Sequence, residues 1–208
     1  MIEIPIAANA TFDGIAARVS AGGKALRSLG ITSTLHGEGA TTVALGFALS
    51  LANYDANAVL LIDANWTRPS LTEVSGRENQ PGLAECLRGE ATLQQAVGVT
   101  ARRGLRFLPA GDFGTESPPF GRLSGLIEQA VERFGKVVID LPPVLVAPSL
   151  VVPWAAAVDQ SYVILRRGVT PVGLVRRALA ELRGGRPPQL ILNQTADRSG
   201  GVGVLGLV

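Results

Sequence analysis

Six short runs of the chain are apolar at nearly every position rather than at alternate ones: residues 29–35, 59–63, 105–109, 137–140, 162–165 and 190–193. Strands of that kind are buried on both faces, as the strands of a parallel sheet are. Between them, Gly, Pro or polar punctuation opens stretches of helical periodicity at 41–51, 82–87, 93–97, 120–133 and 172–183. Strand and helix in alternation predict right-handed βαβ units. The expected fold class is therefore α/β, a mostly parallel central sheet with helices on both faces.

The ends of the chain break this rhythm. Residues 1–28 have weak periodicity and several glycines and predict a loosely attached arm or a short helix, while 199–208 read as a frayed, Gly-rich tail. No internal repeat or linker divides the 208 residues, so a single domain over 1–208 is expected. The longest apolar region, 137–158, is interrupted by Asp140 and by Pro142, Pro143, Pro148 and Pro153, which argues against a membrane-spanning helix. Met1 to Ala10 lacks the basic start and apolar stretch of a secretory signal, so a cytoplasmic location is expected.

Composition narrows the chemistry. Hydrophobic residues make up 47% with only 5% aromatic, beside 25 Gly and 13 Pro, the balance of an Ala/Val/Leu-rich α/β domain with many turns. The net charge of +2 is spread along the chain rather than gathered into a basic stripe, so no nucleic-acid partner is expected. One cysteine, Cys86, and one histidine, His36, cannot build a disulfide framework or a Cys/His metal cluster.

The most informative segment is Thr32-Ser33-Thr34-Leu35-His36-Gly37-Glu38-Gly39-Ala40-Thr41-Thr42, which leaves a strand, passes through a glycine loop and opens a helix. Glycines let successive N–H groups turn inward and the helix start adds positive potential, the geometry of a phosphate cradle. The usual pattern continues Gly-Lys-Ser/Thr, whereas here it reads Gly39-Ala40-Thr41. Two further strands end in carboxylates, Asp63 and Asp140, at the sheet edge where open α/β sheets bind ligands. From the residues alone, a glycine turn that merely caps a helix, and aspartates that merely cap loops, remain alternatives.

Several blocks in order carry a resemblance: Gly37-Glu38-Gly39; Leu61-Ile62-Asp63-Ala64 through Arg68-Pro69; Pro81-Gly82-Leu83 with Leu87-Arg88-Gly89-Glu90; Leu108-Pro109-Ala110-Gly111; Val138-Ile139-Asp140 with Pro142-Pro143; and Leu192-Asn193. Over about residues 29 to 194 the chain resembles the cytoplasmic domain of bacterial tyrosine kinases of the capsule and exopolysaccharide type, a branch of the P-loop family that also holds the MinD and ParA ATPases. The resemblance implies that Gly37, Glu38, Gly39, Ala40, Thr41 and Thr42 surround the phosphates of ATP or ADP. It implies that Thr41, Asp63 and Asp140 stand on the magnesium side, the two aspartates as the catalytic carboxylates, and that Asn193 lies near the adenine.

The departures weigh as much as the matches. Ala40 stands where the family carries a lysine, and Asn65 where these kinases usually carry a second aspartate. Losing one preorganised charge-stabilising donor commonly costs roughly 3–4 kcal/mol of barrier. The chain's two lysines are Lys24, in the arm, and Lys136, expected at the opposite sheet edge; Arg68 is the nearby alternative for an anion. The family phosphorylates a C-terminal tyrosine cluster, but 199–208 contains no tyrosine, and the two in the chain are Tyr54 and Tyr162. The family's Glu/Arg assembly motif is not recognisable around Asp13 to Arg18, which leaves a homo-oligomer open. His36 lacks an evident orienting partner for base chemistry, Cys86 reads as a packing residue, and Trp66 as a packing residue or part of a protein-binding face.

The expectation is thus a pseudokinase, a regulator or scaffold of surface-polysaccharide biosynthesis and export that retains a nucleotide-binding architecture with a degraded chemical centre. Its implied partner is the cytoplasmic face of a membrane co-polymerase or chain-length protein, through which it would associate peripherally with the inner membrane. The alternatives are a slow ATP-dependent tyrosine kinase or ATPase of the same pathway, and a MinD- or ParA-like positioning ATPase.

Overall fold

The structure, a computed structural model, describes residues 12–14, 16–17, 26–54, 58–114, 119–193, 195–196 and 202–203. Its centre is a seven-stranded sheet of β1 (Ser28–Ser33), β2 (Val59–Asp63), β3 (Gly98–Val99), β4 (Leu105–Leu108), β5 (Lys136–Asp140), β6 (Gln160–Arg166) and β7 (Gln189–Asn193), in the order β3-β4-β2-β5-β1-β6-β7. All neighbours are parallel except β3, which pairs antiparallel with β4. From β1 the chain moves outward to β2 and β4, and after β5 it crosses to β6 and β7. The carboxyl ends of β1, β2 and β5 therefore flank one crevice.

The sheet is buried on both sides because its strands are apolar in both phases. Leu60 and Ile62 of β2, Val137 and Ile139 of β5 and Val163 of β6 face one core, which is closed by α3 (Leu83–Arg88), α4 (Leu93–Ala96), α5 (Leu123–Phe134), α6 (Pro148–Ala157) and α7 (Val172–Glu181). Their neighbours Val59, Leu61, Val138, Tyr162 and Ile164 face the other, covered chiefly by α1 (Ala40–Tyr54). Alternate side chains of one strand thus hold opposite helical layers.

The expected strands and helices are present with ends shifted by a few residues, and three features were not foreseen. Helix α6 lies in the proline-rich region: Pro148 sits at its first turn, where no N–H is needed, and Pro153 is tolerated because Leu150, Val151, Trp154 and Ala155 are buried. Helix α2 (Ser70–Ser75) is one short stretch ended by left-handed Gly76. Strand β3 has two residues, too few for periodicity. Of the two expectations for the N-terminal region, 12–14 and 16–17 take the short helix, and it is docked: Phe12 and Ala16 are buried, Phe12 meets Phe47 edge-on at 6.3 Å between ring centroids, and Asp13 accepts a hydrogen bond from the Ser50 hydroxyl. An apolar ring four positions before Ala16 docks this short helical stretch; residues 1–11, 15 and 18–25 lie outside the described residues. In the tail, β8 (Thr195–Ala196) pairs antiparallel with β9 (Val202–Gly203), and its other residues also lie outside the described set. No helix among the described residues is long and apolar enough to cross a membrane.

Candidate functional site

Strand β1 ends at Ser33, and after six intervening residues the chain enters helix at Ala40. Gly37 and Gly39 turn the loop with φ of 82° and 94°, a region that a side chain resists. The first helical bond runs from Val43 N–H to the Gly39 carbonyl at 3.0 Å, so the N–H groups of Ala40, Thr41 and Thr42 have no intrahelical acceptor. These donors and the dipole of a 15-residue helix make the loop attractive to an anion.

The loop is held open by its own acidic side chain. Glu38 is buried, and its Oε2 accepts the N–H groups of Thr34 at 2.7 Å and Leu35 at 3.0 Å, while Oε1 accepts the Thr170 hydroxyl. Asn193, at the end of β7, donates its Nδ2 to the Glu38 carbonyl at 2.9 Å. The Glu38 carboxylate is therefore engaged inside the protein, and Asn193 packs on the phosphate-type loop, so close that a Cβ on Gly39 would come within 2.4 Å of its amide nitrogen.

Asp63 and Asp140 lie opposite one another at the ends of neighbouring strands, both with no exposed surface, yet their surroundings differ. Asp63 Oδ2 accepts the Thr72 N–H at 2.9 Å and the Thr72 hydroxyl at 2.8 Å, and Oδ1 accepts the Asn65 N–H at 3.1 Å. Thr72 Oγ1 in turn accepts the Ala110 N–H at 2.9 Å, so this carboxylate ties β2 to α2 and to the loop after β4. Burial lifts its pKa to about 6 against the opposing pull of these bonds. Neither oxygen of Asp140 reaches a hydrogen bond of ordinary geometry. Burial, then the charge of Asp63, push its pKa well up, with a smaller downward pull from the neighbouring Thr41 hydroxyl.

A cavity of about 220 Å³ opens over these residues, lined among others by His36, Gly39, Ala40, Thr41, Asn65 and Arg68. A larger cavity of about 490 Å³ lies elsewhere, between the α3–α4 turn and α5, and contains none of the expected site residues. The smaller one is the candidate site, because free helix-terminal N–H groups and the Thr41 hydroxyl meet there, with buried Asp140 beside that hydroxyl. Gly37, Gly39, Ala40 and Thr41 line it; Glu38, Asp63 and Asn193 hold its walls from behind; Thr42 is exposed on the first turn.

The remaining candidates settle into place. Lys136 stands at the start of β5, the sheet end opposite Asp140, with its Nζ donating to the Leu26 carbonyl at 3.3 Å. Trp66 donates its indole N–H to the Ala110 carbonyl at 3.0 Å and stacks near Phe113 at 4.9 Å, a packing role. Cys86 is buried and burial raises its thiol to about 11, which leaves almost no thiolate at neutral pH. Thr72 and Thr170 were not singled out from sequence. Each meets its carboxylate only through tertiary structure, nine residues away for Thr72 and 132 for Thr170, and an isolated threonine carries no signal at such separations.

The fold is that of the P-loop NTPases of the MinD/ParA type. The fold is shared with the MinC:MinD cell division complex of Aquifex aeolicus (TM-score 0.66, 21% identity, 81% of this chain and 69% of that one). It is shared too with cobyrinic acid a,c-diamide synthase of Mycobacterium smegmatis, seen with an ATP analogue and magnesium (TM-score 0.67, 21% identity, 83% and 77%). More specifically, its relatives are bacterial tyrosine kinases of capsule and exopolysaccharide biosynthesis. The succinoglycan biosynthesis transport protein ExoP of Rhizobium meliloti is 33% identical over 184 residues, 83% of this chain and 23% of ExoP. Tyrosine-protein kinase CpsD of Streptococcus agalactiae is 28% identical over 194 residues, 89% of this chain and 83% of CpsD. The kinase domain of VpsO superposes with a TM-score of 0.79 at 28% identity, covering 90% of this chain and 94% of that domain. The chain spans about half or less of the length of the first curated relatives it matches. No family model matches the sequence.

Proposed function

We propose that the chain is a catalytically impaired, tyrosine-kinase-like regulator or scaffold of bacterial surface-polysaccharide biosynthesis and export, engaging the cytoplasmic face of a membrane co-polymerase or chain-length protein at the inner membrane. The observation that carries the reading is Ala40: the loop keeps its two left-handed glycines and its helix start, yet carries a methyl group where the resembled kinases carry lysine. Kinship with ExoP, whose name records biosynthesis and transport of succinoglycan, supports the pathway.

The residues present suit a nucleotide with magnesium. A magnesium ion in phosphate sites takes few protein ligands and fills its shell with phosphate oxygens and water, and the Thr41 hydroxyl beside the unpartnered Asp140 is a donor pair of that kind. When bound, magnesium supplies neutralisation of phosphate charge. The N–H groups of Ala40, Thr41 and Thr42 would orient the phosphates, Asp63 would hold the following loop, and Asn193 would fix the glycine loop from behind. Asn65, where a carboxylate would be expected, reports only a neutral amide to the cavity. Binding is retained in this reading and phosphoryl transfer is weakened.

The test compares ATP turnover and phosphotyrosine formation in the natural protein and in Ala40→Lys. Turnover near background in the natural protein, with a rise of about a hundredfold or more on restoring the cation, is the expected result. The retained Thr41–Asp140 pair favours a second reading, a slow ATPase or kinase; robust turnover by the natural protein, abolished by Thr41→Ala and by Asp140→Ala, would establish it instead. For the pathway, loss of the gene should change the amount or length of extracellular polysaccharide, and an unchanged polymer would sink that assignment.

A further inference from the structure

Replacing lysine by alanine removes a charge from a site whose ligand is strongly anionic, so the cavity's remaining charges decide whether it binds. Among the described residues that line it, Arg68 alone carries a permanent positive charge; His36 is the one other base. The guanidinium of exposed Arg68 makes no hydrogen bond or ion pair with the described residues, whereas the half-buried Arg88 guanidinium is tied to Glu85 and Glu90.

The segment that carries Arg68 is nevertheless well held. Arg68 N–H donates to the Asn65 carbonyl at 2.9 Å, Ser70 N–H donates to the Arg68 carbonyl at 2.8 Å, and the Thr67 hydroxyl donates to Asn65 Oδ1 at 2.8 Å. Both ends of this turn hang on Asp63, through Asn65 N–H and Thr72 N–H. A braced backbone with an unspent guanidinium at the rim of an anion-type cavity is a different arrangement from a surface arginine on a mobile loop. Across the cavity stands the Thr41 hydroxyl, beside buried Asp140, whose oxygens make no hydrogen bond of ordinary geometry.

We infer that Arg68, projecting from the turn after β2 into the cavity shared with Gly39, Ala40 and Thr41, supplies the phosphate-binding charge that Ala40 leaves out. This rests on the reading of the cavity as a nucleotide site. The ligand class is a nucleoside di- or triphosphate with a divalent cation: the guanidinium clasps terminal phosphate oxygens in a bidentate fork, and the cation meets the Thr41–Asp140 side. A flexible fork at the rim holds charge from outside the loop, whereas a lysine on the first helical turn would hold it from within. Ground-state binding is thus kept without the lysine's placement for transfer.

Calorimetric titration of magnesium-ADP tests this with four proteins: natural, Arg68→Ala, Ala40→Lys and the double variant, with Arg68→Lys as a charge-retaining control. A hydrogen bond to a charged group contributes about 1.5–3 kcal/mol, so Arg68→Ala should weaken binding roughly tenfold or more, and Arg68→Lys should recover part of the loss. In the Ala40→Lys background the same Arg68→Ala change should cost less than about threefold, because the two cations then substitute for one another. Since the guanidinium has no partner among the described residues, the melting temperature of ligand-free Arg68→Ala should match the natural protein. Equal affinity of natural and Arg68→Ala proteins would overturn the inference, as would an equal loss in both backgrounds. Binding by Ala40→Lys with none by the natural protein would overturn it too, and would leave the impaired-kinase reading standing. Tight Arg68-dependent binding together with rapid phosphotyrosine formation would do the reverse, retaining Arg68's role and removing that reading.

Discussion

The loops that follow β1 and β2 are each closed by a carboxylate of their own, whereas the end of β5 presents a carboxylate that closes nothing. Glu38 takes two backbone N–H groups and the Thr170 hydroxyl; Asp63 takes two backbone N–H groups and the Thr72 hydroxyl. Asp140, equally buried and one strand from Asp63, takes no bond of ordinary geometry. Burying an ionised carboxylate is costly unless it is hydrogen-bonded or paired. The first two offset that cost by organising the protein, and the third leaves it for a ligand to offset. Three acidic residues near one crevice thus divide into two that brace its loops and one that does not.

The sharpest way to break this division is to remove each strand-end aspartate. Asp63→Ala deprives Thr72 and Asn65 of their acceptor and detaches the Thr72–Ala110 link, so unfolding in urea should show a loss of about 3–5 kcal/mol. Asp140→Asn removes a charge that has no protein partner, and the ligand-free protein should be unchanged or more stable. Equal losses from the two substitutions would erase the distinction.

Acidity offers a second, somewhat smaller effect. The folded-state pKa of Asp63 is raised to about 6 from 3.8, and that of Asp140 is raised as well. Between these values the folded protein holds protons that the unfolded chain has released, so stability is fully present below about pH 4 for these groups and falls as pH rises through 6. For Asp63 the two-unit rise amounts to roughly 3 kcal/mol across the window. Denaturation in magnesium-free buffer should therefore show stability declining from pH 5 to pH 8, with a shallower decline in Asp140→Asn. A curve that rises over this range would mean that neither carboxyl is held protonated by its burial.

Much of this architecture was legible in the residues. Strands apolar in both phases identified the parallel sheet, and the spacing from β1 through Gly37 and Gly39 to Thr41 identified the loop, because both signals are local. Helix α6 was hidden because Pro148 and Pro153 read as breakers, while the burial that makes Pro153 tolerable is tertiary. The different fates of Asp63 and Asp140 were hidden for the same reason: both end a strand of the form apolar-apolar-Ile-Asp, and what separates them is that Thr72 donates both its N–H and its hydroxyl to Asp63, whereas Thr41 stands beside Asp140 without a hydrogen bond of ordinary geometry. Sequence showed which groups gather at the crevice; only their contacts showed which were already engaged.

Thr72 is therefore the next residue to alter. Thr72→Val keeps the shape and the N–H bond to Asp63 but loses the hydroxyl that donates to Asp63 and accepts from Ala110 N–H. A buried amide without an acceptor and a weakened carboxylate should together cost about 2–3 kcal/mol in thermal or urea unfolding. A loss below about 0.5 kcal/mol would show that the β2 loop is held by backbone bonds alone and would narrow the contrast with Asp140.

The smallest effect separates the two glycines of the β1 loop and so tests whether that loop, like the one after β2, is braced from behind. Both have positive φ, and an alanine at either should cost about 1 kcal/mol for backbone strain alone. At Gly37 nothing lies within 4 Å of the added methyl, so the loss should stop there. At Gly39 the methyl would meet the Asn193 amide nitrogen at 2.4 Å, and must displace the side chain that donates to the Glu38 carbonyl. Gly39→Ala should therefore exceed Gly37→Ala by about another 1 kcal/mol, the value of the displaced hydrogen bond, and combining it with Asn193→Ala should bring the two glycine positions level. If Asn193→Ala leaves the gap intact, the strain is confined to the backbone and β7 contributes nothing to the shape of the phosphate-type loop.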